Sequence, residues 1–160
     1  MRAPEWLVLV GSTVFIIVLA ISAIWEADIR WLHFFQAWMY IATIALSLRR
    51  NRWGSFIGIS AAGFWAYAGL FVNSFVASGF RHLLRLDRPD QIIAVPAWLA
   101  NVAVVIGCVW AYSRLTKSAS DLVRFVVACT VTTGFFALDM ALFQPRYLSI
   151  FPRLLHPHWP

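Results

Sequence analysis

A chain of 160 residues that is 61% hydrophobic and 12% charged, with a mean hydropathy of +0.74, lies far outside the range of water-soluble globular domains. The formal charge of +6 does not point to nucleic acid, because the basic residues fall in short loops between apolar stretches and form no separate basic domain. Cys108 and Cys129 both sit inside apolar stretches without CxxC spacing, so they read as small buried hydrophobes and not as a redox pair.

Five stretches are long enough, or nearly so, to cross ~30 Å of hydrocarbon, which takes roughly 20 helical residues. The first covers residues 6–25 and places Trp6 and Trp25 at its ends, where amphipathic rings favour the headgroup level. Its apolar core exceeds the roughly 7–15 residues of a signal peptide, so a retained helix is expected. The second, residues 31–48, is the shortest; it carries Gln36 and Tyr40 and stops at Arg49, Arg50 and Arg52. The third, residues 53–79, is longer than a perpendicular crossing needs and implies tilt or an interfacial extension.

Residues 80–88 place Phe80, Leu83 and Leu84 on one side and Arg81, Arg85 and Arg88 on the other, the pattern of a short amphipathic helix on the membrane surface, continuous with the third span. The fourth span covers residues 92–112, with Pro96 in its first turn, where a missing N–H does little harm. The fifth, residues 122–143, follows a capping-box pattern from Ser118 to Asp121. The tail, residues 144–160, is broken by Pro145, Pro152, Pro157 and Pro160 yet carries Tyr147, Ile150, Phe151, Leu154 and Trp159, so it is expected to hug the interface or a partner.

The pattern predicts an all-α integral membrane protein, a single domain over residues 1–160. It is a bundle of five transmembrane helices with a short amphipathic interfacial helix and an interface-associated C-terminal tail. An odd number of spans puts the termini on opposite sides. The dense Arg49–Arg52 loop favours a cytoplasmic N-terminus and an outer C-terminus, and a bacterial inner membrane is the expected location.

Within the third span Gly54, Gly58, Ala62, Ala66 and Gly69 recur on one helical face. Small residues let backbones approach and gain dispersion contacts, so this stripe marks a close helix–helix seam, within the bundle or between subunits. Gln36, Asn73, Asn101 and Asp139 all fall in the same half of the bilayer by the alternation of span directions. A ligand-binding pocket opening to that side would unite them; interhelical hydrogen bonds are the competing account. A carboxylate inside an apolar run is costly, so Asp139 reads either as a functional group or as the partner of an arginine such as Arg81 or Arg146.

His33, His82, His156 and His158 lie on that side too, with Glu26 and Asp28, but none has helical metal-ligand spacing, and no metal or cofactor is expected. There is no GxSxG, no HExxH and no Gly-rich phosphate loop, hence no candidate catalytic residue. The expected function is that of a non-catalytic subunit or accessory factor in a larger membrane assembly, its partners being lipid and other membrane subunits or copies of itself. Two alternatives remain: an oligomeric carrier or channel for a small polar or cationic solute, and an outer-face enzyme or redox protein using metal, haem or quinone.

Overall fold

Helix α1 (Ala3–Trp25) starts where Pro4 supplies a helical φ and the Glu5 carboxylate accepts the Arg2 backbone N–H at 2.8 Å. A 3-10 turn at Ala27–Ile29 leads into α2 (Arg30–Leu48). The side-chain oxygen of Asn51 accepts the Trp53 N–H at 3.0 Å and caps α3 (Arg52–Tyr67). The computed structural model describes residues 2–155; the fold is all-helical, 87% helix, without a strand among these residues. Five helical segments are long and apolar enough to cross a membrane: Ala3–Trp25, Ala27–Leu48, Arg52–Val72, Pro89–Ser113 and Asp121–Phe143.

The third span ends earlier than the apolar run suggested. In place of one helix to residue 79, α3 loosens into a π-helical turn over Ala68–Val72, and Ser74 takes a left-handed φ of 55°. The physical reason is local: the Asn73 side-chain oxygen accepts the Phe75 N–H at 3.2 Å, offering the backbone an alternative to the helical ladder. A new helix, α4 (Phe75–Arg85), begins there, so the amphipathic segment is a separate helix and not a continuation of the span. Leu84 on it is 87% exposed, as an interfacial anchor requires.

After the short α5 (Pro89–Ile92), α6 (Ala94–Ser113) carries Pro96 in its first turn. Helix α7 (Asp121–Phe143) opens on a buried carboxylate that ties three elements together. Asp121 accepts the Ser118 N–H and the Tyr112 hydroxyl, each at 3.0 Å, and forms ion pairs with Arg52 at 3.1 Å and Arg124 at 3.2 Å. The tail folds back through a 3-10 turn (Pro145–Ser149) and α8 (Ile150–Leu154). Ile150 is buried there, and the Phe151 ring lies 5.8 Å from that of Phe64. The tail residues Pro157, Trp159 and Pro160 lie outside the described residues, as do His156 and His158.

Helix α3 occupies the centre, against α2, α6 and α7, while α1 packs on α6 and α2. The small-residue stripe has two fates along its length. A Cβ on Gly54 would fall 2.6 Å from the Ser47 backbone nitrogen, and one on Gly58 would fall 2.5 Å from the Cys108 sulfur and 2.7 Å from Thr43 Cγ2. Ala62 is fully buried and Ala66 half-buried. Gly69 is buried too, but its added Cβ would meet only Val76 Cγ2, at 3.3 Å, and it lines a cavity. A second close crossing, between α1 and α6, was not anticipated. There a Cβ on Gly11 would lie 2.9 Å from the Ala100 carbonyl oxygen, and one on Gly107 would lie 3.0 Å from the Val8 nitrogen.

Candidate solute pocket

The break in the third helix leaves room at one end of the bundle, where a cavity of about 210 Å³ is enclosed by α1, α2, the α3–α4 junction, α5, α6 and the folded-back tail. It reaches the surface beside the exposed residues Glu26, Phe75 and Asp90. An engineered cavity of ~150 Å³ holds benzene, so this space suits a molecule of one ring with a short side chain. Aromatic rings of Phe15, Trp65, Phe75, Trp98 and Tyr147 form much of its wall.

Three of the four polar residues singled out by depth line this cavity: Gln36, Asn73 and Asn101. Their hydrogen-bonding states differ. Asn101, 2% exposed, accepts the Tyr40 hydroxyl on its side-chain oxygen and donates to the Ala97 carbonyl at 2.9 Å, so it serves as a strut between α2 and α6. Asn73 spends its oxygen on the Phe75 N–H, and its amide nitrogen has no partner among the described residues. Gln36 is 2% exposed and lines the cavity, and no hydrogen bond within the described residues involves its amide. A buried amide without a partner costs on the order of 1–3 kcal/mol, so a site that keeps one is a site that expects an occupant or water.

Sequence reasoning placed His33 and Glu26 on this side but weighed them only as metal ligands, and it missed Trp65. His33 stands one turn before Gln36 and lines the same cavity. Its Nδ1–H donates to the Leu19 carbonyl at 3.2 Å, which leaves the Nε2 lone pair of the neutral ring without a protein partner. The i, i+3 spacing of His33 and Gln36, with Tyr40 a turn further on, was a readable signal that the three share a face of α2. No lysine or arginine lines the cavity. Among its wall residues only Glu26 and Asp90 carry formal charge, both at the mouth. Asp90 is held by a two-pronged Arg88 at 3.3 and 3.0 Å, a hydrogen bond that raises the arginine's already high pKa. The Glu26 carboxylate forms no hydrogen bond or ion pair among the described residues; the nearby Arg146 guanidinium is committed to Asp28 at 2.8 Å.

Asp139 does not join this group. It is 4% exposed on α7, does not line the cavity, and neither carboxyl oxygen has a hydrogen-bond partner among the described residues; its pairing with Arg81 or Arg146 is not formed. An unpaired buried carboxylate in an apolar layer opposes folding. Asp139→Asn is therefore expected to raise the thermal unfolding midpoint of the detergent-solubilised protein while leaving the cavity intact. A lowered midpoint would reveal that the carboxylate has a stabilising partner.

His82 pairs with Asp87 at 2.7 Å on α4, and no three of His, Cys, Asp and Glu come together as metal ligands among the described residues. Comparison with known protein families, with curated proteins and with solved structures finds no match, so the geometry alone carries the functional argument.

Proposed function

We propose that this is a non-catalytic integral membrane protein that takes a small polar solute into a pocket open at the outer face, with its N-terminus on the cytoplasmic side of a bacterial inner membrane. The observation that carries this reading is Gln36: a residue only 2% exposed, whose amide has no hydrogen-bond partner among the described residues, on the wall of a cavity of useful size. A helix broken at membrane depth, with its unwound segment lining a polar cavity, is an arrangement that solute carriers use. It supports a carrier or solute-sensing role over a purely structural one.

The test places a cysteine at Ala97, which lines the cavity, in a Cys129→Ser background; the remaining Cys108 is fully buried. A membrane-impermeant methanethiosulfonate reagent should modify Ala97→Cys when added to the outer side of intact cells and not when confined to the cytoplasmic side of inverted vesicles. Lack of reaction from either side would show the pocket closed to solute. Reaction only from the cytoplasmic side would reverse the orientation.

A second reading, a subunit of a larger assembly, draws on α7. Thr130, Gly134, Ala137 and Ala141 share one face of that helix, and a Cβ on Gly134 would meet nothing within 4 Å. Such a ridge of small residues suits another helix better than it suits lipid. Mild cross-linking in native membranes should then yield species above monomer mass that Gly134→Leu removes. Migration at monomer mass throughout would eliminate this reading.

A further inference from the structure

The wall of the pocket carries more information than its volume: its formal charges are of one sign, and beside the donors Asn73 Nδ2 and Trp65 Nε1, unpartnered among the described residues, it offers two acceptors. The His33 Nε2 is an acceptor. The Gln36 amide offers an oxygen as well as its N–H groups. Five aromatic side chains line the space, and aromatic ring faces attract cations. The formal charges on the lining residues are both negative, and neither lysine nor arginine is among them. Arg88 and Arg146 are each engaged by a carboxylate, Asp90 and Asp28 respectively. An anionic solute would meet the donors of Asn73 and Trp65 but no countercharge on the lining, so its charge would be desolvated without an opposing ion.

Building on the pocket reading above, we propose that the solute is a small organic ammonium ion, with at least one N–H and an apolar body of about one ring. The N–H is received by His33 Nε2 and the Gln36 side-chain oxygen, the positive charge lies against the aromatic wall, and Glu26 attracts the ion at the mouth. Asn101 takes no direct part, since its oxygen and one amide hydrogen are already engaged by Tyr40 and Ala97.

The experiment measures protection of Ala97→Cys from the methanethiosulfonate reagent by three molecules of similar size: 2-phenylethylamine, 2-phenylethanol and 3-phenylpropionate. The amine should halve the reaction rate at a concentration at least about tenfold below that of the alcohol, as a desolvated cation–aromatic contact implies, and the carboxylate should give no protection. Glu26→Gln, at an exposed position that does not endanger folding, should weaken protection by the amine about three- to fivefold and leave that by the alcohol unchanged. A cationic reagent should also modify the cysteine faster than an anionic one.

Equal protection by alcohol and amine, or protection by the carboxylate, would overturn the ammonium assignment while leaving a working pocket. Absence of protection by all three would overturn it as well, with the pocket reading then resting on the sidedness of cysteine modification alone. Loss of amine and alcohol protection together in Glu26→Gln would likewise count against the charge-based role given to that residue.

Discussion

Gly54→Ala, the addition of one methyl group, is expected to lower the stability of the protein by a net ~1–2 kcal/mol. The new Cβ would fall 2.6 Å from the Ser47 nitrogen and 2.8 Å from the Leu46 carbonyl carbon, both backbone atoms of α2. A side chain could rotate away, but a backbone cannot, so α2 and α3 must separate. Overpacking of this sort costs about 1–3 kcal/mol, occasionally more, against a gain of up to ~1 kcal/mol from alanine's better helix propensity. Gly63→Ala is the control on the same helix: its added Cβ meets nothing within 4 Å, so only the propensity gain remains and the midpoint should rise. Thermal unfolding of the two variants in the same detergent should give shifts of opposite sign. A Gly54→Ala protein that melts like its parent would show that the α2–α3 seam has slack.

The seam illustrates which parts of this fold the sequence made legible. Apolar runs of membrane length and the spacing of small residues are local properties, and both translate directly into helices and close approaches. The end of the third span was not legible, because hydropathy stays high through residue 79 while the break is made by one side chain, Asn73, bonding to the backbone two residues on. A polar residue within an apolar run was read by its depth alone, whereas its effect here is on the backbone. The α1–α6 crossing was hidden for another reason: Gly11 and Gly107 are isolated in sequence, and only their meeting across two helices makes them a seam.

The same distinction runs through the pocket. Depth grouped Gln36, Asn73, Asn101 and Asp139 together, but depth says nothing of rotation about a helix axis: the first three line one cavity and Asp139 does not. Partnering was invisible as well. That Tyr40 engages Asn101 and not Gln36 depends on how α2 and α6 face each other across 61 residues of sequence. His33 was set aside because its spacing fits no metal site, yet an imidazole fixed by a backbone carbonyl is suited to receiving a hydrogen bond.

Gly69→Leu brings the two halves of this reasoning into one substitution. On spacing alone it belongs to the small-residue seam, and leucine there would be expected to destabilise the bundle as strongly as a change at Gly54. The structure places Gly69 on the cavity wall, with a single side-chain contact for its Cβ, to Val76 Cγ2 at 3.3 Å, so a larger side chain has empty space to grow into. The leucine atoms beyond Cβ would occupy a substantial part of the ~210 Å³ that a one-ring solute needs. The expected result is a variant that folds and melts within about 1 kcal/mol of the parent, since an apolar side chain filling an existing void is tolerated, yet shows no protection of Ala97→Cys by 2-phenylethylamine at any concentration that protects the parent. Retained protection would mean that the solute does not use this cavity. A collapse in stability equal to that of Gly54→Ala would mean that Gly69 is part of the packed seam after all, and that the void beside it closes in the folded protein.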